Sequence, residues 1–119
     1  DWCLNMVRKI HKAEIGIMAG TDCPIFLLTP GFSLHEELAM LVNAGLTPLE
    51  ALKTATINPA IYFNMEKELG NIKENMWADL VLLDANPLEN INNTKQINNP
   101  LVVSHKECFN VLLEAKRTV

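Results

Sequence analysis

Cysteine is scarce and poorly spaced for cross-linking: Cys3, Cys23 and Cys108 are the whole supply, and no two of them form a Cys-x-x-Cys pair. An odd set without a motif excludes a disulfide framework and a thiolate zinc site, and points to a reducing, cytoplasmic setting. No uninterrupted apolar run approaches the roughly 20 residues that span a bilayer, and no basic start leads into an apolar signal core. The chain therefore reads as soluble, with no membrane partner. Positive charge is not in excess, since 10 Lys and Arg stand against 14 Asp and Glu for a net charge of -4. The basic residues are scattered rather than striped, which leaves no electrostatic footprint for nucleic acid. Internal repeats and low-complexity linkers are absent, and His11, His35 and His105 form neither a His-x-His pair nor a HExxH helix pattern.

What is present suffices for one modest domain: 119 residues of which 49% are hydrophobic. The first residue is Asp1 rather than Met, and a helical pattern starts at once without a cap before it. Trp2, Met6 and Ile10 recur every fourth residue with Cys3 and Val7 beside them, which predicts an amphipathic helix with its core face at the first turn. The sequence is expected to begin inside a domain, at an interior cut. After a break at Gly16, the apolar residues 15–19 read as a buried parallel strand, followed by Gly20-Thr21-Asp22. A carboxylate just past a parallel strand occupies the place where α/β folds put their chemistry. The competing reading is structural, an Asx turn ahead of Pro24.

A loop runs from Asp22 through Thr29-Pro30-Gly31. Ser33-Leu34-His35-Glu36 then has the form of a capping box, and Leu38, Leu41 and Val42 follow at helical spacing until Gly45, which predicts a helix over about 34–44. Thr47-Pro48-Leu49-Glu50 repeats the device with Pro at the first helical position, and Leu49, Leu52 and Ala55 form the expected buried stripe. Asn58-Pro59 is expected to cap a further short helix through Tyr62 and Phe63. At Leu69-Gly70 the character changes, and a domain seam is placed near residue 67. Residues 78–83 read as a strand closed by Asp84-Ala85-Asn86-Pro87, residues 90–99 as a polar loop, and 101–103 with 108–111 as a hairpin around Ser104-His105-Lys106-Glu107.

Three stretches carry a resemblance. Gly20-Thr21-Asp22, Ser33-Leu34-His35-Glu36-Glu37-Leu38, and Ala44-Gly45-Leu46-Thr47-Pro48-Leu49-Glu50-Ala51-Leu52 running into Ala55-Thr56-Ile57-Asn58-Pro59-Ala60 resemble the C-terminal part of the metal-dependent amidohydrolase superfamily. The likeness is to its imidazolonepropionase-like and prolidase-like branch. Leu69-Gly70-Asn71-Ile72, Ala78-Asp79-Leu80-Val81-Leu82-Leu83-Asp84 and Asn86-Pro87-Leu88 look like that family's C-terminal β-segment. The fold implied is α/β, a (β/α)8 TIM barrel beside a small β-sandwich. A barrel takes about 250 residues, so the chain is expected to be a C-terminal fragment holding the last helix-strand-helix units plus the C-terminal sandwich strands. On that reading residues 1–66 end the hydrolase barrel and 67–119 belong to the composite sandwich.

The resemblance implies a hydrolase of C–N bonds in amides, cyclic amides or dipeptides, with a divalent metal, most simply zinc. Asp22 matches the family's metal ligand that closes the eighth strand and takes a proton from the attacking water. The family's other ligands, a His-x-His pair, a carboxylated Lys or Glu and two single histidines, have no match here. The fragment alone is therefore expected to be inactive and to bind no metal by itself. Its expected partners are the N-terminal barrel portion of the same protein, a small amide or peptide substrate, and further copies of itself in a homo-oligomer. His35, at the start of the helix after the Asp22 loop, and Thr21 are the secondary candidates, to touch substrate or to steady the Asp22 carboxylate. Cys23 reads as a small hydrophobe, His11 and His105 as solvated, and Trp77 as core or interface. Asn75 is expected to adopt the left-handed conformation where the family has Gly. A scaffold piece of the same fold without metal is the alternative of a different class. A phosphoacceptor Asp lacks the upstream acidic pair it would need.

Overall fold

The computed structural model describes residues 1–97 apart from Pro24, Phe26, Leu27 and Ala78. The hairpin expected over 101–111, with His105 and Cys108, lies outside the described residues, as does the end of the expected polar loop. Among the described residues four α-helices follow in order: α1 (Trp2–Lys12), α2 (Ser33–Ala44), α3 (Pro48–Thr54) and α4 (Ile57–Tyr62), with a 3-10 helix (Ile91–Lys95) after them.

α2 is the central element, and its ends show why it stops where it does. Gly45 takes φ 116°, its N–H donates to the Val42 carbonyl at 2.9 Å, and the Leu46 N–H reaches back to the Leu41 carbonyl at 3.2 Å. These two bonds are a Schellman motif, completed by apolar contact between the residues at its two ends. Leu41 and Leu46 supply that contact inside the core cluster of Leu38, Leu41, Leu46, Ala51 and Ile91. Arg8 of α1 adds a second tie: its guanidinium Nε donates to the Ala44 carbonyl at 2.9 Å, a cation at the negative end of the helix. The start of α2 differs from expectation. Phe32, not Ser33, precedes the first turn and already has helical dihedrals, so no side-chain cap forms. Ser33 is inside the helix, and its hydroxyl instead accepts from the Thr29 N–H at 2.8 Å, tying the preceding loop.

The Thr47 box forms as read. Thr47 accepts from the Glu50 N–H at 3.3 Å while Glu50 Oε2 accepts from the Thr47 N–H at 2.7 Å. Of the expected stripe, Leu52 and Ala55 pack against the core cluster, but Leu49 is 49% exposed and the fully buried residues of α3 are Ala51 and Thr54. Small residues let α3 approach α2 closely, and the Thr54 hydroxyl is satisfied by the Ala51 carbonyl at 2.6 Å. Asn58 is not a cap either: α4 begins at Ile57, and Thr56 holds the cap position.

Two further corrections concern α1 and the strands. Asp1 is the cap of α1, accepting from the Cys3 N–H at 2.9 Å. The face expected in the core has no buried residue, and Trp2 is 73% exposed. Val7 alone of that face packs against the core cluster. Among the described residues no strand is formed at 15–19 or 79–83; the β pairing is an isolated antiparallel bridge between Leu83 and Ile97. A strand exists only through a neighbour that accepts and donates along its edge, and helices fill that place for 15–19. The expected polar loop contains the 3-10 helix, whose Ile91 is buried against α2. Asn75 has φ 64°, the left-handed conformation expected of it.

Candidate active site at the Gly20–Asp22 turn

Residues 17–20 run without regular structure, and three bonds hold their backbone. Asn58 Nδ2 of α4 donates to the Ile17 carbonyl at 2.8 Å, the Ala19 N–H donates to the Thr54 carbonyl at 2.9 Å, and the Gly20 N–H donates to Glu37 Oε1 of α2 at 2.8 Å. Each of these backbone groups would otherwise need a neighbouring strand. The segment is thus fixed to three helices at once.

Beyond Gly20 the chain turns sharply. Asp22 sits at φ 51°, a left-handed conformation that Asp tolerates better than most residues. Its carbonyl accepts from the Ile25 N–H at 3.3 Å, the Leu28 N–H returns to Ile25 at 3.2 Å, and Cys23 Sγ donates to the Leu28 carbonyl at 3.1 Å. The Asp22 side chain is exposed, and its carboxylate has no hydrogen-bond or ion-pair partner among the described residues.

His35, in the first turn of α2, is half-buried, and its Nδ1 is buried without a partner among the described residues. Burial first, and the nearby Lys95 charge second, hold its pKa below 6.5. A neutral imidazole follows at pH 7, offering one donor and one acceptor nitrogen. Lys95 also lies 5.4 Å from the centre of the Phe32 ring. No bond joins His35 to Asp22 among the described residues, and the half-buried Thr21 makes none through its hydroxyl there. The structure thus sets Thr21 beside Asp22 in the turn and leaves His35 on the neighbouring helix.

Glu37 is the site residue to which the sequence reading gave no role. Its Oε1 holds Gly20, and its Oε2 is buried and unpartnered among the described residues. The signal was present: an acidic side chain beside the core residue Leu38.

A cavity of about 460 Å³ lies elsewhere, walled by His11, Ile15, Ile17, Lys53 and Asn58 among others, and not by Thr21, Asp22 or His35. It opens at the start of the segment that ends in Asp22. His11, expected to be solvated, stands at its edge 3.7 Å from the Glu50 carboxylate.

No three His, Cys, Asp or Glu side chains gather to hold a metal ion among the described residues. Asp22 by itself fits as one ligand, being a hard oxygen donor with no competing hydrogen bond among the described residues. It does not make a site alone.

Comparison with known proteins shows the family to which a chain with this turn and these helices belongs. The model of the amidohydrolase family matches residues 4–106, and the chain belongs to that family. It is similar to ochratoxinase of Aspergillus niger, 38% identical over 107 residues, which are 88% of this chain and 21% of that protein. It is similar to imidazolonepropionase of a Geobacillus species (strain WCH70), 39% identical over 83 residues, 66% of this chain and 18% of that protein. Among solved structures, a Xaa-Pro dipeptidase with methionine bound in its active site superposes with a TM-score of 0.74 at 26% identity, over 87% of this chain and 24% of that one. The chain spans about a fifth of the length of the curated relatives it matches. No described helix is long and apolar enough to cross a membrane.

Proposed function

We propose that this chain is the C-terminal part of a metal-dependent hydrolase of C–N bonds in amides, cyclic amides or dipeptides, and that Asp22 is its contribution to the reacting centre. The observation that carries the reading is the Asp22 carboxylate itself: exposed, without a partner among the described residues, and preceded by a backbone tied to α2, α3 and α4. The names of the relatives, an imidazolonepropionase and a Xaa-Pro dipeptidase among them, support the choice of bond.

Asp22 would serve as one ligand of a divalent ion, most simply zinc, with the remaining ligands supplied from outside the described residues. Such an ion, when bound, makes water acidic enough to react near neutral pH. The work of Asp22 is then proton transfer, accepting a proton from the attacking water and delivering it to the departing nitrogen. His35, neutral at pH 7, offers a ring nitrogen to a substrate, and Thr21 offers its hydroxyl at the same turn. Residues 1–66 belong in this reading to the barrel and 67–119 to a composite β-sandwich. The N-terminal barrel portion and further copies of the protein cover the apolar faces left open here, in a cytoplasmic setting, and the chain alone is inactive. The alternative of a different class is a scaffold piece of the same fold without metal, motivated by the family histidines that have no match in this sequence.

The test is Asp22→Asn in the full-length protein, assayed on N-benzoyl-phenylalanine, Leu-Pro and dihydrouracil with metal content measured alongside. General acid–base catalysis is worth about 10²–10⁴-fold, and a loss of that size with reduced bound metal is expected. Unchanged turnover and unchanged metal would overturn the reading. A folded, metal-free parent would support the scaffold.

A further inference from the structure

The contact between Glu37 and Gly20 is the strongest feature that the proposed chemistry leaves unused. Asp22 is the left-handed residue of its turn, and its side chain has no partner among the described residues. What fixes the turn is the backbone just before it. The Gly20 N–H, two residues upstream, donates to Glu37 Oε1 at 2.8 Å across 17 residues of sequence. Glu37 is itself held rigidly, because the next residue, Leu38, is 4% exposed in the core and α2 is locked at its far end by Gly45, Leu46 and Arg8. A charged acceptor to a backbone N–H makes a stronger and shorter bond than a neutral one. The carboxylate's second oxygen is buried with no partner among the described residues. A buried acceptor left unpaired is costly, and native proteins rarely leave one so.

We infer that Glu37 is a positioning residue for Asp22: one oxygen pins the Gly20 N–H and so sets where the Asp22 carboxylate stands, and the other accepts a hydrogen bond from a donor in the part of the protein that covers this turn. Thr21, placed next to Asp22 by sequence, makes no such bond among the described residues, so the steadying passes to a helix side chain. The inference rests on the role of Asp22 proposed above.

The test is a double-substitution cycle in the full-length protein with zinc ion as the probe, its affinity read by chelator competition. Partners that orient a metal ligand change affinity by about 10–100-fold when removed. Glu37→Ala is expected to weaken zinc binding within that range, and Glu37→Gln, which keeps one acceptor oxygen for the Gly20 N–H but turns an amide N–H towards the second donor, to weaken it less than Glu37→Ala does. In the Asp22→Asn background Glu37→Ala should add nothing, since a group that acts only through Asp22 has nothing left to act on. Hydrogen exchange of the peptide holding Gly20 should quicken in Glu37→Ala and stay slow in Glu37→Gln. If Asp22→Asn alone leaves zinc affinity unchanged, the reading of Asp22 fails and the inference with it. If Asp22→Asn weakens binding while Glu37→Ala does not, or does so additively with Asp22→Asn, only the inference fails.

Discussion

The side-chain amide of Asn58 donates to the carbonyl oxygen of Ile17 at 2.8 Å, joining α4 to residues that lie 41 positions earlier in the chain. This bond anchors the start of the segment whose end carries Asp22. Its neighbour is the Ala19 to Thr54 bond at 2.9 Å, so two helices hold one stretch of backbone.

Removing that amide should loosen the segment. A hydrogen bond of this kind contributes about 0.5–1.5 kcal/mol, and leaving its half-buried acceptor unpaired costs about 1–3 kcal/mol. Asn58→Leu is therefore expected to lower the urea midpoint of the full-length protein at constant slope. Asn58→Asp should cost more, because a carboxylate oxygen would then face the Ile17 carbonyl. Equal midpoints for all three proteins would show that the bond carries no stability.

The cap of α3 should titrate. Glu50 accepts from the backbone of Thr47 first and from its hydroxyl second, and these bonds hold its pKa below the ordinary glutamate value of 4.5. A carboxylate whose folded pKa is lowered stabilises the fold fully above 4.5, and that stabilisation is lost as pH falls through the lowered value. The thermal midpoint difference between parent and Glu50→Gln is expected to be constant from pH 6 to 5 and to shrink below 4.5. A difference independent of pH down to the acid limit would refute the assignment.

His35 gives a second titration with its own sign. Burial is the larger cause of its lowered pKa and the Lys95 charge the smaller. Above 6.5 the imidazole is neutral whether the chain is folded or not, so the fold has its full stability there. As pH falls from 6.5 towards the lowered value the unfolded chain takes up a proton that the folded one refuses, and stability declines. Lys95→Met should raise the ring's NMR titration midpoint yet leave it under 6.5, because burial persists. A midpoint that reached 6.5 would make Lys95 the principal cause.

Legibility in the sequence followed how local the governing interaction is. The stop at Gly45 and the Thr47 box were readable because each closes within six residues, from residue types suited to little else. The buried side of α3 was readable in part: Leu52 and Ala55 pack against the core as expected, but Leu49 is exposed while Ala51 at 0% exposure and Thr54 at 1% occupy the interior. Side-chain size cannot say which face another helix will approach. Ile91 is a lone apolar residue among asparagines, and only the presence of α2 makes it core. The site divides the same way. Asp22 became a candidate from the residues immediately before it, whereas Glu37 and Asn58 act on backbone 17 and 41 residues away. Ser33 misled because a capping motif states what a hydroxyl can do, and the loop through Thr29 claimed it first.

The positive φ of Asp22 bears on how its chemistry can be interrogated. Asparagine is among the few residues that enter the left-handed region nearly as readily as aspartate, whereas alanine meets a steric cost of about 1–2 kcal/mol there. Asp22→Asn therefore removes the charge and leaves the turn alone, while Asp22→Ala would disturb both together. The backbone at this one position decides which substitution reads out chemistry and which reads out shape.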